Sequence, residues 1–203
     1  MVLGMVKVGL LNYGVGNLGS LTNALSRVGA EVVVINEASS LKSVDALILP
    51  GVGSFDAAAR RIMDFVDLIN DVKGSIPIMG ICLGLQLMFE SSDEGVLRGL
   101  GWYGARVRRL NHPRLPHIGW GRVKVVKPCS IIGADGYFYF MHSYAVLDYV
   151  NLPYAGISRY GGEEFLSVLC DEKAATYGTQ FHPEKSSRGG LIILSNFVKL
   201  AKS

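Results

Sequence analysis

The sequence predicts an α/β fold with a mostly parallel central sheet, helices on both of its faces and an antiparallel extension. Three observations lead there. In the first half, short β-branched or continuously apolar runs alternate with longer stretches of helical spacing, the pattern of βαβ crossovers. Those strands lack polar alternation, as strands do when both faces of their sheet are covered. In the second half, strand-like runs follow one another with only short turns between them, which suits antiparallel pairing.

The elements follow in order. Lys7–Leu11 is a short apolar strand ending at Asn12-Tyr13-Gly14. Asn17 is placed to cap a helix in which Leu18, Leu21, Leu25 and Val28 keep helical spacing, and Gly29 stops it. Glu31–Ile35 is β-branched and reads as the second strand, and Val44–Leu49 as the third, ended by Pro50-Gly51. Ser54 is placed to cap a helix with Phe55, Ala58, Ala59, Ile62, Phe65, Val66 and Ile69 on one broad face. Ile76–Met79 is a fourth buried strand, and a helix begins over Cys82–Phe89. Strands are then expected at Ala105–Leu110, Gly121–Lys127, Tyr137–Val146, Tyr154–Tyr160, Phe165–Leu169 and Ala174–Phe181, before a last helix near Arg188–Ala201. In parallel sheets functional groups gather beyond the carboxyl ends of the strands. Three glycine-rich turns fall there: Asn12–Asn17, Pro50–Gly53 and Gly80–Gly84.

Composition narrows the function classes. The 203 residues, 49% of them hydrophobic, suffice for a sizeable core, and one domain over 1–203 is expected, without repeats or a linker. A formal net charge of +3 is too small to argue for nucleic acid. Arg106, Arg108, Arg109, Arg114, Arg122, Lys124 and Lys127 form a local basic segment, either a solvated strand face or a face for an acidic or phosphorylated partner. The three cysteines, Cys82, Cys129 and Cys170, are widely spaced and form no metal-binding pattern. They suit a reducing compartment, with Cys129 and Cys170 as packing residues. The N-terminus reads as a strand after a short lead, in which Met5 offers an alternative start. It has no signal-peptide character, and no apolar run is long enough to span a bilayer. A soluble, cytoplasmic protein is the expectation.

One stretch carries chemistry. In "PIMGICLGLQLMFE", Cys82 stands between Gly80 and Gly84 where an apolar strand passes into a helical pattern. A nucleophile elbow needs this arrangement, since a Cβ at the flanking positions would clash in a crowded turn. The start of a helix favours thiolate, and the Leu83 N–H is free to donate to an oxyanion. A free cysteine is most often a small buried hydrophobe, but the elbow shifts the balance towards a nucleophile. Acting on an amide, such a thiolate requires a base that also protonates the leaving amine, and a carboxylate to orient that base. Among His112, His117, His142 and His182, only His182 follows a predicted strand with a carboxylate two residues on, in "GTQFHPEKS". Pro183 keeps His182 extended, which puts Glu184 on its side.

"GICLGLQLMFE" and "GTQFHPEKS", in that order and about a hundred residues apart, resemble the class I, triad-type glutamine amidotransferases. "NYGVGNLGSL", "LPGVGSF", "LPHIGWGRV" and "YFYFMHSYAV" are similar to one branch of them, the glutaminase subunits of imidazole glycerol phosphate synthase. The resemblance covers nearly the whole chain and implies the flavodoxin-like fold of that family. It implies Cys82, His182 and Glu184 as catalytic residues, with no cofactor or metal. Leu83 with Val52 and Gly51 would form the oxyanion hole, and Gln86, Gly53, Ser143, Tyr144 and Glu94 would bind L-glutamine. Glycines at 51 and 53 would let the oxyanion segment change conformation. Asn12 stands where many relatives carry aspartate, which touches no triad position. The implied partner is a (β/α)8-barrel cyclase, with Tyr13, Asn17, Pro116, His117, Trp120 and Tyr137 as plausible contacts. A glutaminase for another synthase, a cysteine hydrolase of the same fold and a silent binding module are the alternatives.

Overall fold

The computed structural model describes residues 5–14, 17–37 and 43–201. Its main sheet has nine strands in the order β2-β1-β3-β4-β12-β11-β10-β7-β8. The parallel half is β1 (Lys7–Leu11), β2 (Glu31–Ile35), β3 (Ala46–Leu49), β4 (Ile78–Ile81) and β12 (Thr176–Thr179). Its order, 2-1-3-4 followed by β12, is that of a flavodoxin-like sheet. β11 (Glu163–Asp171), β10 (Tyr154–Tyr160), β7 (His117–Val125) and β8 (Gly136–His142) continue it antiparallel. A second sheet joins β5 (Phe89–Ser92), β6 (Tyr103–Arg109) and β9 (Tyr144–Val146).

Helices cover both faces. α1 (Leu18–Arg27) is capped by Asn17, whose Oδ1 accepts the Ser20 N–H at 3.2 Å, and Gly29 follows it with φ 84°. It packs with α5 (Ser187–Leu200) over one core, in which Leu21, Leu25, Leu194 and Phe197 meet Val8, Leu10 and Ile48. The other face holds α2 (Phe55–Ile62), where Phe55, Ala59 and Ile62 meet Leu11, Leu47 and Leu49. The two cores explain the continuously apolar strands, because alternate residues of β1 and β3 feed opposite faces.

Three expectations change. The helix expected to run from Ser54 to Ile69 is broken: α2 passes through a 3-10 turn, Met63–Phe65, into α3 (Val66–Val72). Ser54 makes no side-chain cap. The helix expected over Cys82–Phe89 is the single turn α4 (Leu83–Gln86), because Phe89 onward pairs with β6 instead. Residues 15 and 16, inside the first glycine-rich turn, and the lead up to residue 4 lie outside the described residues. Among the described residues no helix is long and apolar enough to cross a membrane.

Candidate active site

The site grows from two neighbouring strand ends. β4 and β12 run parallel with Ile81 opposite Thr179, and the Cys82 N–H donates to the Thr179 carbonyl at 2.7 Å. Cys82 then turns sharply, at φ 52° and ψ −105°. Few residues with a Cβ adopt a positive φ, and this is the strained corner of a nucleophile elbow. Glycine at 84 is obligatory for closeness: a Cβ there would lie 1.8 Å from the Leu49 carbonyl oxygen. With only one helical turn behind it, the cysteine faces free N–H groups but little macrodipole. Support for a thiolate must come from side chains as well.

His182 stands three residues beyond Thr179, so base and nucleophile leave adjacent strands on the same edge. Its Nδ1 meets Glu184 Oε1 at 2.9 Å, with both side chains almost fully buried. The reason differs from the extended i, i+2 geometry expected. His182 alone is extended, and Pro183–Lys185 form a 3-10 turn that swings Glu184 back. Ser186 locks the turn. Its hydroxyl donates to the His182 carbonyl at 2.6 Å and accepts the Tyr139 N–H at 2.9 Å. His182 Nε2 has no hydrogen-bond partner. Burial works against charge on this imidazole, but the negative charge available to Cys82 and Glu184 outweighs it and holds its pKa above the usual histidine range. Among the described residues, His182 Nε2 stands near the Cys82 sulfur without a hydrogen bond of ordinary geometry, as is common before substrate binds.

A cavity of about 260 Å³ opens at Cys82. Gly51, Val52, Gly53, Leu83, Gln86, Glu94, Ser143 and Tyr144 all line it, together with Pro116, Met141 and His142. Gly51 presses on the elbow, since a Cβ on it would stand 2.5 Å from Leu83 Cβ and 2.9 Å from the Gly84 nitrogen. Close approach, more than conformational freedom, therefore demands glycine at 51, whereas Gly53 has φ 130°. Among the described residues, the Leu83 N–H is engaged in no backbone hydrogen bond.

Glu94 is half-buried, and its Oε2 accepts the Phe55 N–H at 3.0 Å, supplying the cap on α2 that Ser54 does not make. Burial pushes its carboxyl pKa up, against the Phe55 hydrogen bond. Gln86 Nε2 donates to the Tyr144 carbonyl at 2.8 Å and to Gln180 Oε1 at 3.2 Å.

Several residues of the site escaped the sequence reading. Gln180, Ser186 and His142 flank recognised motifs but carry no signal of their own. Asp56 receives the Val96 and Leu97 N–H groups at 3.1 and 3.0 Å and so holds the Glu94 loop. Tyr13 is fully buried and donates its hydroxyl to the Pro50 carbonyl, and His117 is buried against Phe140 and Tyr160. Neither is available as a surface contact, a correction to their assignment as partner residues. Trp120 and Tyr137 are exposed, as is Ile118 beside them. Cys129 and Cys170 are joined in a disulfide, and so are not the independent packing residues expected, nor thiolates able to ligate a metal. They border the larger cavity, about 720 Å³, away from Cys82. Three residues of the basic segment are paired, Arg106 with Asp93, Arg108 with Asp148 and Arg122 with Asp135, which fits a solvated face.

The fold and this constellation define a class of protein. Residues 10–200 match the family model of glutamine amidotransferase class-I, and the chain belongs to that family. Within it, the chain is 40% identical over 195 residues to the imidazole glycerol phosphate synthase subunit HisH of Pyrobaculum aerophilum, covering 96% of this chain and 98% of that protein. The HisH of Methanopyrus kandleri is 44% identical over 194 residues, covering 93% and 96% of the two chains. At that likeness the chain is a member of the HisH family. Solved structures agree on the fold: a putative GMP synthase component from Thermoplasma acidophilum superposes with a TM-score of 0.76 at 21% identity, over 98% of this chain and 95% of that one. PurLQS from Thermotoga maritima gives 0.78 at 16%, over 97% and 99%.

Proposed function

We propose that the chain is the glutaminase subunit of an imidazole glycerol phosphate synthase, a single amidotransferase domain over residues 1–203 working in the cytoplasm. Cys82 Sγ gives its proton to His182 Nε2 and attacks the side-chain carboxamide carbon of L-glutamine. The oxyanion is met by the N–H of Leu83 and one from the Gly51–Val52 segment. His182 returns the proton to the departing nitrogen and ammonia leaves. A water, deprotonated by the same imidazole, then hydrolyses the thioester and frees glutamate. Glu184 orients the ring through Nδ1 and stabilises its positive form. Gln86 and Gly53 position the carboxamide end, while Ser143, Tyr144 and the outer oxygen of Glu94 hold the backbone groups of glutamine. A cavity of about 260 Å³ suits one amino acid.

The observation that carries the reading is the meeting of Cys82 with the His182–Glu184 pair at the ends of adjacent parallel strands. Hydrolysis alone would waste ammonia, so a partner receives it. We place as that partner a (β/α)8-barrel cyclase, which joins ammonia to a phosphoribosyl-formimino carboxamide nucleotide and releases imidazole glycerol phosphate and aminoimidazole carboxamide ribotide. It would dock near the exposed Ile118, Trp120 and Tyr137. The test is glutamate release from glutamine by the chain alone, and with the cyclase and its nucleotide, with Cys82→Ala as control. Strong stimulation that Cys82→Ala abolishes is expected. Hydrolysis indifferent to the cyclase would move the protein to another synthase.

A further inference from the structure

We propose that Gln180 is a further catalytic residue, whose side-chain amide donates a hydrogen bond to the Cys82 sulfur and stabilises the thiolate. The inference rests on the glutaminase reading for its consequence, though not for its geometry. Gln180 follows Thr179 as Cys82 follows Ile81, so the two are the next pair across adjacent parallel strands. Its backbone N–H is tied to the Ser167 carbonyl at 3.0 Å, it is 1% exposed, and its Nε2 lies 3.5 Å from Cys82 Sγ.

The amide orientation follows from the network. Tyr144 O is a backbone carbonyl and only accepts, so the Gln86 group facing it at 2.8 Å is the NH2. The second hydrogen of that NH2 points to Gln180 at 3.2 Å, so Gln180 presents its oxygen to Gln86. Its own NH2 is left facing the sulfur. His142 Nδ1 reinforces the anchor by donating to the same Tyr144 carbonyl at 3.0 Å.

The sulfur has need of this donor. On its other side lies the Met141 carbonyl, 3.8 Å away, a weak acceptor for S–H. When the proton passes to His182 Nε2, that contact turns from attraction to repulsion. The Gln180 amide then strengthens, because hydrogen bonds to an ionised partner are roughly twice as strong as neutral ones. The one-turn α4 contributes little to offset the loss.

The test uses Gln180→Leu, which removes the donor at similar size, and Gln180→Glu, which keeps the shape and presents a carboxylate. The rate of Cys82 alkylation by iodoacetamide is followed against pH, with the alkylated residue identified by mass. The titratable groups around Cys82 are His182, with Glu184 behind it, Tyr13, and His142 and Glu94 in the cavity wall. They are common to all variants. The midpoint is expected to rise by about one pH unit in Gln180→Leu, a tenfold loss of thiolate at fixed pH, and by more in Gln180→Glu. With the cyclase present, kcat falls about 10- to 100-fold while the KM for glutamine holds. An unmoved alkylation midpoint overturns the proposal, as does a rise in KM at constant kcat. A merely structural role would lower the melting temperature without moving the midpoint. Should the variants fail to fold, the 15N-labelled side-chain amide of Gln180 in the unsubstituted protein decides. Its proton resonance should titrate with Cys82 and lose that titration in Cys82→Ala, and persistence of the titration in Cys82→Ala overturns the proposal. Alkylation and NMR need no glutamine, so their outcome is separate from whether the chain is a glutaminase.

Discussion

Replacing Gly84 by alanine puts one methyl group between the elbow and the strand that precedes the oxyanion segment. The new Cβ would lie 1.8 Å from the Leu49 carbonyl oxygen and 3.2 Å from Leu49 Cβ, where ordinary contact begins at 3.4 Å. A separation of about 1.6 Å, the shortfall of the first of these distances, must be opened. The closest partner is backbone, so no side chain can swing aside. Alanine gains about 1 kcal/mol of helix propensity over glycine. Overpacking costs about 1–3 kcal/mol, with the upper end or more when main chain must move, so a net loss of at least about 2 kcal/mol is expected. Catalysis should suffer more than stability. The displaced atoms belong to Cys82, Leu83 and the Pro50–Gly51 segment, and a misplacement of about 1 Å is worth roughly a hundredfold in rate. Glutamate release with the cyclase present should fall at least about a hundredfold, with a modest drop in the denaturation midpoint. Gly133→Ala, which meets nothing within 4 Å, is the control and should change neither. A Gly84→Ala protein with near-normal kcat would refute the elbow as the feature that aims the sulfur.

Further expectations follow from other parts of the molecule. Burial, then the mutual repulsion of neighbouring imidazoles, pushes His142 to about 3, and burial pushes His117 to about 4. Both are neutral in the fold and protonate more readily when unfolded, so their contribution is complete above pH 6.5 and is lost as pH falls through the window below it. His142 alone should remove roughly 2–3 kcal/mol between pH 7 and 4.5, read by urea denaturation. His182, shifted upward, contributes stability that is complete below pH 6.5 and is lost only as pH rises beyond it, so it does not account for a loss on acidification, and a flat profile would contradict the burial of His142. The disulfide Cys129–Cys170 closes a loop with a sequence separation of 41, so reduction or Cys129→Ser should cost about 4 kcal/mol at most in denaturant experiments. Activity should persist where the reduced protein stays folded. Glu94→Ala removes the Phe55 N–H acceptor, so unfolding should come about 1 kcal/mol earlier. On the proposed role, its KM for glutamine should rise at least about tenfold, and an unchanged KM would take Glu94 out of the binding site.

The parallel half was legible in its elements, though the strand read as Ile76–Met79 lies at Ile78–Ile81 and the one read as Val44–Leu49 begins at Ala46. Lys7–Leu11 and Glu31–Ile35 match as strands, and Asn17 caps as expected, because local pattern and burial agree there. Reading failed where one pattern serves two elements. The apolar run from Leu83 to Phe89 fits a helix by spacing, yet only its first turn is helical, since tertiary pairing with β6 claims Phe89. Tyr13 and His117 belong to recognisable motifs, but a motif does not say which way a side chain points, and both point inward. The disulfide left no trace, for two cysteines so far apart carry no spacing signal. Cys82, His182 and Glu184 were singled out because glycines and a proline mark special backbone around them. Gln180 passed unnoticed because an ordinary strand end surrounds it.

β12 has a consequence for the life of the chain before it is whole. It sits between β4 on one side and β11 on the other, in the middle of the sheet, yet the long stretch from Cys82 to Ala175 separates it from β4 in sequence. During synthesis β4 therefore waits with an open edge until the segment carrying β12 has emerged, and closing the sheet is a long-range event. The same strand delivers His182. A nascent or truncated chain thus carries a sulfur with no base beside it, and acquires the power to break an amide only at the step that seals its sheet.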